Sequence, residues 1–363
     1  MKPLSFIRLF LVFTALALSI QPSHAYAERS AGASPVMARK PHQFLQRYLD
    51  FSEKDLMKME KGKVVVKLFE KGGVENEVGA FGVVRVDIPK EVLIKQFRDI
   101  ETFTASDAVK QIGKFSNPPC REDLQTLTVD EKDIRDLKKC KPGHCKMKID
   151  TAAMKRFQTE VDWSSPDYRE HVTTLMRQIL FDYVTDYLKR GNAALGEYHD
   201  QEQPLRIADV FQEIVQNSPY LAEYVPELLT YIRDFPHGDL PGVESFLYWS
   251  KEEVGLKPVI NVFHVFMYTR EQGEGEEVFI ATKQIYASHY FEGFLSFTAF
   301  VDEVGGDNPT ASYLMYLNRS RFDQLKGALK GVIVTLAKGK VRKGVKKYFR
   351  EVRERLKADL ILE

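Results

Sequence analysis

An α+β fold is predicted for this chain from three observations. Two β-rich runs lie near the start, a long middle stretch has helical spacing, and a second set of β-rich runs ends in an apolar helical stripe. With 363 residues, 44% hydrophobic and 28% charged, the chain buries a sizeable core as one large domain or two small ones. Its formal net charge of +1 gives no sign of a general nucleic-acid binder, although Lys and Arg concentrate towards the end.

Residues 1–27 read as a secretory signal. Lys2 and Arg8 precede the apolar run Leu9 to Ile20, and Ala25-Tyr26-Ala27 stands before Glu28. Cleavage after Ala27 is the first expectation and an uncleaved N-terminal anchor the alternative. The apolar run is short for a membrane span, and nothing later reaches that length. The mature protein is therefore expected in the periplasm or outside the cell. Residues 28–40 are small and polar, a disordered leader.

Residues 41–126 are read as the N-terminal part of the folded domain. Phe44, Leu45, Tyr48, Leu49, Phe51, Leu56 and Met57 predict one or two short helices. Val64 to Phe69 and Val78 to Ile88 predict a hairpin turning at Gly72-Gly73, and Pro89 ends its second strand. Val92, Ile94, Phe97 and Ile100 then have near-helical spacing. Residues 127–240 form a helical insertion, its clearest start being Ser165-Pro166 before a pattern from Val172 to Leu188 that Gly191 stops. Ser218-Pro219 opens another helix, which Pro226 is expected to bend or split.

Residues 241–363 are read as a C-terminal meander and closing helix, with strands returning after Leu256. "KPVINVFHVFMYTR" pairs with "EEVFIATKQIYASHYF" across an acidic, glycine-containing loop. A third strand follows Gly293, and "SYLMYLNRS" makes a fourth. The helix is expected from about Arg321, capped by Asn318 or Ser320, with Leu325 to Leu356 forming its apolar side. Gly327, Gly331, Gly339 and Gly344 interrupt that stripe at about 1 kcal/mol each relative to Ala. Close packing, a bend or room for a ligand would each supply a reason, as would a break between two shorter helices.

In an exported protein the three cysteines predict a disulfide. Cys140 and Cys145 flank Pro142-Gly143, a pair suited to a type II turn, and are the preferred partners; Cys120 with either is the alternative. A metal site at Cys140, His144 and Cys145 lacks a fourth ligand at any familiar spacing, so no metal and no cofactor are expected. Serine-nucleophile, zinc-protease, phosphate-loop and dinucleotide motifs are all absent from the sequence.

The segment "VGAFGVVRVDIPKEVLIKQFRDIETF" and the ending "SYLMYLNRSRFDQLKGALKGVIVTLAKGKVRKGVKKYFREVRERL" frame an order of strand pair, short helix, meander and long terminal helix. This order resembles the START-like helix-grip superfamily of lipid-transfer, birch-pollen-allergen and polyketide-cyclase types, over about half of the mature chain. The long helical middle and its cysteine loop depart from it. The resemblance implies a curved antiparallel sheet gripping the C-terminal helix, with an apolar tunnel between them for a lipid or other hydrophobic molecule.

Candidate site residues follow from the mixed strand 279–300. Strict alternation puts Thr282, Gln284, Tyr286, Ser288 and Tyr290 on one face and Lys283, Ile285 and His289 on the other. Phe263, His264, Gln284, Tyr286, His289, Tyr290, Phe297, Tyr316 and Arg319 are the expected ligand-binding set. The bland readings are an exposed sheet face, a satisfied core histidine at 264 and a solvated arginine at 319.

The leading functional expectation is an exported carrier of a lipid-like or other hydrophobic small molecule in a bacterial envelope. An enzyme of the same cavity, cyclase- or hydrolase-like, would use Lys283 and His289 as catalytic candidates with Tyr286 and Tyr290. A protein that contacts an envelope partner without a ligand is the third reading. The basic side of the terminal helix predicts weak membrane-surface contact or, more plainly, a solvated face.

Overall fold

The computed structural model describes residues 41–69, 76–254, 257–272, 275–303, 311–323, 339, 341–350 and 352–354. Expectations about the signal segment, the leader, the turn at Gly72-Gly73, and Gly327 and Gly331 fall outside these residues.

Two short helices come first, α1 (His42–Leu49) and α2 (Glu53–Glu60). Ser52 caps α2 in a reciprocal box with Asp55, which satisfies amides that the first turn leaves unpaired. The hairpin strands are β1 (Val65–Phe69) and β2 (Glu77–Asp87). Pro89 ends β2 and caps α3 (Lys90–Arg98), which is followed by α4 (Ile100–Thr104) and a short strand, β3 (Val109–Lys114).

The helical middle contains α5 (Glu131–Leu137), α6 (Thr151–Thr159) and α7 (Tyr168–Arg190). It continues with a ribbon of β4 (Glu197–Tyr198) and β5 (Leu205–Arg206), then α8 (Ile207–Gln216). Pro226 splits the next pattern into α9 (Pro219–Tyr224) and α10 (Pro226–Asp234), because its ring cannot continue a preceding helix. Gly191 stops α7 at φ 55, and a Cβ there would stand 1.7 Å from the carbonyl oxygen of Phe235. Cys140 and Cys145 lie at disulfide distance across a turn in which Gly143 has φ 82, while Cys120 stays a thiol.

Five long strands follow: β6 (Val243–Glu252), β7 (Val259–Gln272), β8 (Gly275–Ala287), β9 (Phe291–Asp302) and β10 (Ala311–Phe322). Strands therefore return at Val243 rather than after Leu256. Its partner β7 fixes this, by pairing in register from Val243 opposite Tyr268 to Glu252 opposite Val259. The eight strands form one antiparallel sheet in the order β1-β2-β10-β9-β8-β7-β6-β3. The N-terminal hairpin thus joins the later strands through β2, which lies beside β10.

Both sheet faces are covered. On one, Phe81, Val83, Phe266, Ala281, Leu295 and Met315 pack against α1, α2 and α8 to α10, and Trp249, Val262 and Ile285 pack against α6 and α7. On the other, Val84, Val265, Ile280, Phe300 and Leu314 pack against Val92, Leu93 and Phe97 of α3 and against Val345, Phe349 and Val352. Residues 341–350 and 352–354 are helical. The expected helix start near Arg321 is corrected, since Arg321 pairs with Gly293 inside β10 and residues 324–338 lie outside the described set. Asn318 and Ser320 likewise belong to the strand and cap no helix.

Candidate functional site

A cavity of about 480 Å³ lies between the sheet and the layer of α3, α4 and residues 341–348. Small-molecule sites span roughly 300–1,000 Å³, so this space accommodates a ligand and exceeds a packing defect. Its wall is apolar where Phe97, Ile100, Phe103, Val341 and Val345 contribute. Its floor is a polar band across β7 to β10, made by Asn261, Thr282, Gln284, Ser296, Thr298, Asn318 and Ser320.

Strand register assembles that band. Thr282 stands opposite Ser296, Ser296 opposite Asn318, and Thr298 opposite Tyr316. Neighbours hydrogen-bond in part: Gln284 Nε2 donates to Asn261 Oδ1 at 2.9 Å, Ser320 Oγ to Asn318 Oδ1 at 2.9 Å, and Asn318 Nδ2 to the Tyr316 hydroxyl at 3.3 Å. Thr298 Oγ1 lies 3.4 Å from the Tyr348 hydroxyl, tying the floor to the helical segment. Burying amides and hydroxyls costs free energy unless they are paired; these contacts meet that cost in part, and the donor and acceptor capacity that remains faces the cavity.

Among the described residues, Glu252 and the tyrosines supply the ionisable groups of the lining, with no Lys, Arg or His. Burial pushes the Glu252 carboxyl above its ordinary range, against the hydrogen bond it accepts from Ser250 Oγ at 2.5 Å. Burial likewise raises Tyr248, Tyr316 and Tyr348, keeping them neutral donors and acceptors. Val254, Phe291, Phe294 and Phe322 line one end of the cavity, and Val254 is exposed. Exposed Gly344 lines it too, with no atom of the described residues within 4 Å of the place a Cβ would take. Close packing is carried instead by Gly82, where a Cβ would fall 2.2 Å from the Phe349 ring.

Of the residues expected from sequence, Phe263, Gln284 and Tyr316 line this cavity. Others lie away from it. Arg319 is buried on the opposite face, pairing with Glu77 and donating to Ser218 Oγ at 3.2 Å and the Tyr220 hydroxyl at 3.3 Å. His264 is buried there with Nδ1 3.0 Å from the Tyr187 hydroxyl, and burial, aided by Lys283, holds it neutral. Lys283 donates to Asn192 Oδ1 and lies 4.1 Å from the Phe211 ring. Phe297 packs in the same core. His289 Nε2 stands 3.1 Å from Asp133 Oδ2, and Lys257 Nζ bridges Asp133 and Asp136 at 2.6 Å each. Tyr290, at φ 62, accepts from the Lys257 amide at 2.8 Å. The structure does not bring the catalytic candidates Lys283 and His289 into the cavity.

Tyr286 departs from the predicted face for a local reason. Val262 pairs with Tyr286 but Phe263 with Gln284, so Ile285 is an extra residue and the alternation changes phase. Gln284 points to the cavity, whereas Tyr286 joins the helical side. Sequence reasoning placed Thr282 on the same face as Gln284 but passed over Ser296, Thr298, Asn318, Ser320 and Glu252 as site residues. The available signal was a run of polar residues two apart, 296 and 298 in one strand, 318 and 320 in another, within otherwise apolar strands. Among the described residues no cluster of His, Cys, Asp and Glu is fit to hold a metal ion, and no helix is long and apolar enough to cross a membrane.

This architecture defines an α+β chain whose central antiparallel sheet carries a polar-floored cavity on one face and a helical layer on the other. In comparisons with protein-family models, curated proteins and solved structures, none matches the chain.

Proposed function

We propose that this chain is an exported binding protein for an uncharged or cationic amphiphile, held between the sheet and the helical segment 341–350. The observation that carries the reading is the cavity of about 480 Å³, with an apolar wall, a band of amides and hydroxyls as floor, and, among the described residues of its lining, a carboxyl but no cationic side chain. An apolar body gains from leaving water against the wall, roughly 25 cal/mol per Å². Its hydroxyl or carbonyl groups would meet Gln284, Thr282, Ser296 and Asn318. A free carboxylate would lose hydration without gaining a counter-charge from the described lining residues.

Supporting the helix-grip reading is the order of elements: β2, then α3 and α4, then the meander β6 to β10, then a helical segment on the same sheet face. Supporting export are the signal-like sequence of residues 1–27 and the disulfide-distance pair Cys140 and Cys145. Exposed Arg342, Lys343, Lys346, Lys347 and Arg350 suit weak contact with an anionic membrane surface during ligand delivery.

Mass spectrometry of organic extracts from natively purified mature protein tests the proposal. A bound neutral or cationic amphiphile is expected, and it should be absent from a Ser296→Leu variant that retains its melting temperature, because leucine fills the floor and removes a hydroxyl. Empty extracts from several expression hosts, or the same molecule recovered equally from the variant, would sink it. An enzymatic reading rests on one observation, the raised Glu252 carboxyl in the lining, and would require turnover that Glu252→Gln abolishes while binding persists.

A further inference from the structure

The helical insertion holds a second, half-open cavity of about 510 Å³, lined by α6, α7, the turn after α7 and β4, with Tyr286 of the sheet in its lining. We propose that it is a separate binding site for an uncharged, largely apolar molecule carrying a carbonyl group, whose oxygen accepts a hydrogen bond from the Tyr286 hydroxyl.

Three observations lead there. First, the Tyr286 side chain is 8% exposed and its hydroxyl is buried without a hydrogen-bond partner. A buried hydroxyl left unsatisfied is costly, and phenylalanine would fill the same volume without it. Its neighbours are satisfied: the Tyr183 hydroxyl donates to the Ile285 carbonyl at 2.6 Å, and the Tyr198 hydroxyl accepts from the Ala287 amide at 2.9 Å. Second, the extra residue Ile285 in β8 turns Tyr286 away from the first cavity and towards this one. Such bulges re-aim side chains beside functional sites. Third, Ala152, Ala153, Ala193, Ala194 and Gly196 line the space. Larger residues at these positions would fill it.

Charge decides the ligand class. The lining has four carboxylates, Asp150, Asp182, Asp186 and Glu197, against two guanidiniums, Arg156 and Arg190. Both arginines are already committed, Arg156 to Glu160 at 2.8 Å and to Asp182 at 3.3 Å, and Arg190 to Asp186. Asp133, Asp150 and Asp200 add to burial in holding the Tyr286 phenol protonated. The floor is therefore a hydrogen-bond donor in a negative field, which repels anions and accepts a neutral carbonyl oxygen.

Benzophenone, a rigid uncharged diaryl ketone, tests this on the full mature chain by photolabelling and peptide mapping. Saturable labelling of the α7 peptide containing Met176 and Leu180, or of the 149–153 segment, is expected. Tyr286→Phe should bind benzophenone about tenfold more weakly, with an unchanged or raised melting temperature because it removes an unpartnered hydroxyl. Ala153→Leu should block labelling by occupying the space. Labelling confined to peptides of the sheet–helix cavity, non-saturable labelling, or undiminished affinity in Tyr286→Phe would overturn the proposal. Each of these outcomes leaves the reading of the first cavity standing, because no variant used here touches its lining.

Discussion

Lys283 has no solvent-exposed surface, and among the described residues no carboxylate pairs with it. Desolvation lowers its amine from 10.5 to about 7. Below about pH 7 both folded and unfolded chains hold the proton and the fold carries the full cost of burying a charge. Between about 7 and 10.5 only the unfolded chain holds it, so stability rises with pH through that window. The whole contribution is on the order of 5 kcal/mol. Lys283→Met is expected to be more stable than the parent at pH 7 and to lose this rise, as read by urea unfolding at pH 7 and pH 9. A parental pH slope retained in the variant would disprove the assignment.

Asp133 has the opposite sign. Burial raises its carboxyl, but the bonds to His289 and Lys257 outweigh that and hold it below its ordinary 3.8. Its stabilisation is present above that value and is lost as pH falls through the folded one, so Asp133→Asn should flatten the acid limb of a stability profile. Sequence reasoning named Lys283 and His289 because a strand that mixes polar and apolar residues on both faces needs an explanation. Their partners, Asn192 and Asp133, lie 91 and 156 residues away, which no local pattern discloses.

Among the elements, the long helix α7 and the Pro226 break were legible, because proline and glycine act on their own backbone. Gly191→Ala is expected to destabilise by about 3 kcal/mol or more in chemical denaturation, since φ 55 and the Phe235 carbonyl both exclude a Cβ. Strands β3 and β6 were not legible. The sequence of β3, "VKQIGK", has little apolar alternation, and β6, "VESFLYWSKE", mixes charge with aromatics. Lys251 is buried in β6 only because Asp130 at 2.6 Å and the Thr128 carbonyl at 3.0 Å receive it from the insertion. The phase change at Ile285 was equally hidden, because a bulge is defined by the partner strand. Gly82→Val should push Phe349 away and release the helical segment 341–350 from the sheet, at about 1–3 kcal/mol. Limited proteolysis reads this directly: faster cleavage near residues 341–350 is expected, and an unchanged pattern would show that the segment is not held at Gly82.

The described fold is a sheet with two buried faces, and this resolves the mixed character of its strands. Chains with one covered face sort polar residues outward; here the insertion covers the face that would otherwise meet water. Polar side chains then have two fates, satisfied by insertion partners on one face or lining a cavity on the other. The short loop closed by Cys140 and Cys145 sits in the insertion, so its reduction is expected to lower stability by about 2 kcal/mol and to weaken the insertion before the sheet. Hydrogen exchange under reducing conditions should show α5 and α6 losing protection before β8 and β9; simultaneous loss would count against a local effect. The sequence by itself determined the α+β class, the helical middle, the proline and glycine boundaries and the preferred cysteine pair, because each depends on local backbone preference or short-range spacing. Only the tertiary structure decided which face each strand residue takes, where the two cavities lie and which polar groups are satisfied, because those depend on pairings between residues far apart in the chain.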